Sequence, residues 1–120
     1  MTLKKGHWAV FITIDGKDYL LGQVLALVTV DGKINNYISE WRGDEKIEIR
    51  ALCQWYDMER ENGKFTGKLK RTFMFSNGYY SCKYYICTCP IPKVMQFDDG
   101  HCLMLDQTAV SQLSRFCKFQ

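Results

Sequence analysis

The chain reads as a mainly β domain closed by one C-terminal helix. Runs rich in Val, Ile, Tyr, Phe and Trp recur along most of its length, separated by Gly, Asp and Asn turn signals at fairly even spacing. The clearest run, Ile47 to Trp55, alternates apolar and polar residues at period two. Helical periodicity is confined to the C-terminal end. These observations predict a small, partly open β-barrel with strands over about residues 7–105 and one helix over about 107–117. At 120 residues the chain has room for one core and one domain, residues 1–120.

In order, His7 to Ile14 is the first expected strand and ends at the turn pair Asp15-Gly16. Asp18 to Val30 is apolar on both faces, which predicts a long central strand with Gly22 as the site of a bulge or bend. After Asp31-Gly32, Lys33 to Arg42 is a weaker strand that places Tyr37 and Trp41 on one face, and its polar Asn35-Asn36 predicts an edge. In the strand beginning at Glu45, Ile47, Ile49, Ala51, Cys53 and Trp55 face one way, and Glu48, Arg50 and Gln54 the other. Asp57 to Lys68 is polar and Gly-containing, and is expected to be a loop. Leu69 to Ser76 is a strand stopped by Asn77-Gly78, and Tyr79 to Cys89 is a further strand or pair of strands before Pro90 and Pro92. Lys93 to Phe97 and His101 to Leu105 form a last hairpin around Asp98-Asp99-Gly100. Asp106 is the expected N-cap of the helix, whose apolar stripe is Val110, Leu113 and Phe116 or Cys117.

Composition narrows the function classes. A net charge of +3 permits an acidic partner without requiring one. The apolar run Trp8 to Ile14 is too short to span a membrane and is followed by charged residues rather than a small-residue cleavage site, so no membrane association and an intracellular location are expected. In that compartment the six cysteines are expected to be thiols. Cys87 and Cys89, with Cys82 and the His101-Cys102 pair, offer enough ligands for a structural zinc but lack the two-residue knuckles such sites use, and buried free thiols are the simpler reading, with no cofactor expected. An enzyme is hard to build. Only His7 and His101 could act as neutral-pH bases, and neighbours such as His101 and Cys102 point to opposite faces of a strand.

The residues with the clearest functional potential lie around the end of the Ile47–Trp55 strand. A tryptophan at a rim beside carboxylates offers a ring face and negative charge to a cation. Trp55 and Tyr56, followed by Asp57, Glu59 and Glu61, have that composition. The alternative is a tryptophan that closes the end of the core, with the acids solvated.

The order of motifs resembles that of bromo-adjacent homology (BAH) domains. Tyr19 to Leu27, with Gly22 in "LLGQVLAL", resembles the family's early "I-G-R-V" strand. Ile49 to Tyr56, ending in Gln54-Trp55-Tyr56, resembles its "V-x-W-F/Y" strand. Thr72 to Asn77 stands where the family carries "E-L-F-x-S", with Thr72 in place of its acidic residue. Cys89-Pro90-Ile91 is similar to its "K-C-x-V" strand. The resemblance implies a partly open barrel akin to SH3 and OB folds, nuclear location, chromatin association, and binding of histone tails or nucleosomes. Some members of that family hold a methylated lysine in an aromatic cage, and carried over by motif Trp55 would be a cage ring and Glu61 its acidic wall, with the other two of the four cage positions apolar or small in this chain. The early aromatic position falls on Leu20 beside Tyr19, and a later one on Ser76 beside Phe75. The candidate binding residues are therefore Tyr19, Trp55, Tyr56, Asp57, Glu59, Glu61 and Phe75.

The reading is a non-enzymatic interaction module for a histone tail or another basic peptide. The competing reading is a barrel that binds single-stranded nucleic acid by stacking bases on Tyr79, Tyr80, Tyr84 and Tyr85 beside Lys83, Lys64, Lys68, Lys70 and Arg71.

Overall fold

The structure is a computed structural model that describes residues 2–31, 34–43, 48–72, 78–89, 94–97 and 102–117, with backbone alone at 31, 34, 35 and 94–97. The strands are β1 (Leu3–Lys4), β2 (Trp8–Ile12), β3 (Tyr19–Asp31), β4 (Ile34–Ile38), β5 (Glu40–Trp41), β6 (Glu48–Glu61), β7 (Lys64–Thr72), β8 (Tyr80–Ser81), β9 (Tyr85–Thr88), β10 (Val94–Phe97) and β11 (Cys102–Leu105). A 3-10 turn spans Cys82–Tyr84, and the helix α1 spans Gln107–Phe116. The mainly β class and the single C-terminal helix stand as expected.

The two longest strands, β3 and β6, form the antiparallel axis of the molecule, in register from Leu20 opposite Asp57 to Val30 opposite Glu48. The main sheet runs β10-β11-β7-β6-β3-β2-β9, with β4 added to β3 and β8 to β6. Each long strand therefore changes its outer neighbour partway along: β3 from β2 to β4, β6 from β8 to β7. Among the described residues the ladder does not close on itself, and β1 and β5 form a separate two-stranded sheet.

Alternation along β6 sorts its side chains onto two faces, and both faces are packed. Ile49, Ala51, Cys53 and Trp55 join Ala9, Phe11, Leu20, Val24 and Leu27 in a first core, which Tyr80, Cys82 and Leu3 cover. Tyr56 and Met58 join Val10, Leu21, Phe65 and Leu69 in a second, which Ala109, Leu113 and Cys117 cover. A sheet packed on both faces explains why β3 carries apolar residues on both.

Several local expectations change. The segment from Asp57 to Lys68 is not a loop. β6 continues to Glu61, and β7 begins at Lys64 after the two-residue turn Asn62-Gly63. Both turn residues have positive φ, 53° and 77°, the geometry of a type I′ hairpin, which Asn-Gly favours. Its outward residues are charged, but Met58, Phe65 and Leu69 point inward and are buried. The bulge in β3 falls not at Gly22 but at Leu25, between Val24 and Ala26. Gly22 is instead a point of close approach beneath Trp55. The strand expected over Lys33 to Arg42 breaks at Ser39 into β4 and β5, and β5 turns away to pair with β1. The run Tyr79 to Cys89 becomes β8, the 3-10 turn and β9.

The helix begins where its cap predicts. The Ala109 N–H donates to Asp106 Oδ1 at 2.9 Å. Its buried stripe continues from Leu113 to Cys117, while Phe116 stays 44% exposed. The helix lies against the sheet beside β7, where Val110 Cγ2 stands only 2.9 Å from the place a Cβ on Gly67 would take. No helix among the described residues is long and apolar enough to cross a membrane.

Candidate functional site

The sequence places Trp55 at an open rim, and the structure places it inside. The side chain is 1% exposed. Its ring meets Phe11 edge-on at 4.9 Å and Tyr80 at 5.3 Å. Gly22, directly opposite on β3, leaves no room for a Cβ beneath the indole, since one would come within 3.1 Å of Cζ3. A cation–π contact needs a free ring face, and these neighbours occupy it. The physical cause is the length of β6. The strand runs on beyond Trp55, so this residue sits in mid-sheet rather than at an end.

The same fact disperses the expected cage. Glu61 is six residues further along an extended strand, about 20 Å from Trp55, and faces Lys64 at the hairpin tip. Tyr56 is 8% exposed and packs in the second core with Trp8 at 5.3 Å. Burial raises its hydroxyl pKa, and the nearby Arg71 partly offsets the rise. Tyr19 is half-buried against that second core, on the other face from the Leu20–Asp57 pair. Phe75 lies outside the described residues, as do Ser76 and His101.

What the structure does gather is the acids. Asp57 stands exposed opposite Leu20 on one side and Lys70 on the other. Arg60 donates from Nη2 to Asp18 Oδ1 at 2.6 Å, and the Tyr19 N–H donates to the same oxygen at 2.8 Å. Glu59 sits where the β6–β7 register shifts, its carbonyl oxygen accepting from the Thr66 hydroxyl at 3.2 Å. The Asp57 carboxyl is held above the ordinary carboxylate range. Partial burial is the first cause, then the negative charge of Asp18; Glu59 adds to this, while Arg60 and Lys70 oppose it. Asp18 is the member that sequence reasoning missed. It is far from Asp57 along the chain, and only the β2–β3 turn and the β3–β6 register bring them together.

The tyrosine platform is only partly available. Tyr80 is 6% exposed, and its hydroxyl donates to the Ile12 carbonyl at 2.5 Å. Tyr84 and Tyr85 pack against the first core. Tyr79 instead meets Tyr37, whose side chain is 75% exposed, with their hydroxyls 3.4 Å apart. The cysteines divide between the cores: Cys53 and Cys82 lie in the first, Cys87, Cys89 and Cys117 in the second. The ligand group drawn from Cys82, Cys87 and Cys89 is thus split by the sheet. Among the described residues no three His, Cys, Asp or Glu side chains are arranged to hold a metal.

A further feature lies beside Trp55. A recess of about 240 Å³ is lined by Leu25, Leu52, Cys53, Gln54, Trp55, Arg71 and Thr72.

Fold and surface together define an antiparallel β-sheet domain with two cores and one capping helix. No protein-family model, curated protein or solved structure matches the chain.

Proposed function

We propose that this chain is a non-catalytic interaction module, BAH-like in its barrel-related sheet, that binds a lysine-rich peptide of the histone-tail kind in a nuclear setting. The contact surface is Asp18, Asp57 and Glu59 rather than a cage around Trp55. One observation carries the reading: the Asp57 carboxyl is raised by neighbouring negative charge as well as by burial, although Arg60 and Lys70 stand close. Asp18 and Glu59 repel the Asp57 carboxylate, and an incoming ammonium beside Asp57 relieves that repulsion.

The test is a titration of the labelled protein with a lysine-rich histone-tail peptide. The amides of residues 57–61 should shift, and Asp57→Asn should weaken binding about two- to fivefold, the range of an exposed ion pair. The same variant should not lower the melting temperature, because it removes repulsion. Affinity should rise with pH through the raised pKa of Asp57, since the peptide binds the ionised form. Folding runs the other way: a carboxyl with a raised folded pKa contributes most below its unfolded value, and the contribution is lost as pH climbs through the folded one. Equal affinity of the variant and the native protein, or shifts confined elsewhere, would remove the reading.

A further inference from the structure

Six of the seven tyrosines are wholly or partly closed off from solvent. Tyr56 and Tyr80 are buried, and Tyr19, Tyr84 and Tyr85 pack against one core or the other. Tyr37 on β4 is the exception, at 75% exposed. Its hydroxyl stands 3.4 Å from that of the half-buried Tyr79, one residue before β8. This contact is the first cause that holds the Tyr79 pKa above its ordinary value, ahead of slight burial and the charge of Tyr37.

The two residues come from distant parts of the fold. They are 42 positions apart, and β3 and β6 stand between β4 and β8 in the ladder. Two hydroxyls at that separation are at the long limit of a hydrogen bond, so the contact adds little to stability. What it supplies is two phenols in reach of each other, one of them open to solvent. Tyr80 and Tyr84 also lie close, with ring centres 5.5 Å apart. Tyr80 is buried, however, and its hydroxyl is taken by the Ile12 carbonyl.

We propose that Tyr37 and Tyr79 form an oxidative cross-linking site, at which a haem peroxidase using hydrogen peroxide joins the two rings as dityrosine. The oxidant reaches Tyr37, whose phenol gives up one electron and one proton. The Tyr79 O–H passes its hydrogen across the contact to the Tyr37 radical, which frees Tyr37 for a second oxidation. The two radicals couple through a ring carbon beside each hydroxyl, and the hydrogen on each of those carbons moves to the oxygen to restore the phenols. The protein loses two hydrogen atoms, and the peroxide takes them up to become two waters. The new bond ties β4 to the start of β8 across the β3–β6 axis. Like other cross-links between distant residues, it restricts the unfolded chain more than the folded one. The pair shares no residue with the proposed lysine-peptide surface, so either reading can fail alone.

The test treats the dilute full chain with hydrogen peroxide and a haem peroxidase, then reduces it to remove any disulfide. The product should be a monomer, lighter by two hydrogens, with blue dityrosine fluorescence. Proteolysis and mass spectrometry should find Tyr37 and Tyr79 in one linked peptide pair. Tyr37→Phe and Tyr79→Phe should each abolish this product, whereas Tyr84→Phe should leave it. Tyr37 is exposed, so its variant keeps the test valid if the Tyr79 variant fails to fold. The proposal is overturned if dityrosine forms only between two copies of the chain, if the link within one chain joins other tyrosines, or if Tyr37→Phe still gives the monomeric product.

Discussion

Replacing Gly22 by alanine would place a methyl group 3.0 Å from Cys53 Cβ and 3.1 Å from Trp55 Cζ3, both deep in the first core. Neither neighbour is the loose end of a flexible side chain, so the sheet or the indole must shift. Overpacking of this kind costs about 1–3 kcal/mol, and chemical denaturation should show a loss in that range. The glycine is conspicuous in the sequence, but its reason is not. Alternation identifies Trp55 as inward-facing without saying how much protein lies beyond it. The cysteines were easier to read. Burial pushes the Cys82, Cys89 and Cys117 thiols up to about 12, and Cys53 higher still. The thiolate is the reactive form, so at pH 8 these four are protected twice, by access and by protonation. Native-state alkylation should label the half-buried Cys102 well ahead of them. Equal labelling of Cys89 or Cys117 would contradict the packing of α1.

At the scale of elements, the β6–β7 hairpin is where the sequence reading and the structure part most. Acidic and basic residues between Asp57 and Lys68 give the segment the composition of a loop. Composition is a correlation, whereas Asn62-Gly63 is a mechanism: both residues adopt positive φ, which a type I′ turn requires. Extending the period-two pattern through Met58 and resuming it at Phe65 and Leu69 would have found the hairpin. Gly63→Val forces a β-branched residue into that conformation and should cost about 1–3 kcal/mol, read as a lowered midpoint in urea. The helix was legible almost to the residue because its signals are local. Asp106 caps it by side-chain acceptance, and Asp106→Ala should lower stability by about 1 kcal/mol. What was not legible at this scale is non-local: the transfer of β6 from β8 to β7, the bulge at Leu25 and the approach of Asp18 to Asp57 all depend on register between distant segments.

For the whole molecule, the arrangement of one sheet between two cores has a mechanical consequence. β3 and β6 contribute side chains to both clusters, Leu20 and Trp55 to the first, Leu21 and Tyr56 to the second. Neither core can dissolve while its shared strands keep their pairing, and neither pairing survives without burial on both faces. The cores should therefore melt as one unit, although α1 touches only the second. Ile49→Val in the first core should cost about 0.5–1.5 kcal/mol, and Leu113→Ala in the second about 2–5 kcal/mol. Both variants should lower a single transition, followed by tryptophan fluorescence, which reports Trp41 and Trp55 at the first core and Trp8 at the second, and by far-ultraviolet circular dichroism, which reports sheet and helix together. Distant sites that do not share partners should also add, so the double variant should fall by nearly the sum of the two losses. If Leu113→Ala split the melt into two separate transitions, the helix and its core would be an independent unit. In that event β3 and β6 would not couple the two faces, and the recess at Leu25 would lie on a boundary between separately folding parts.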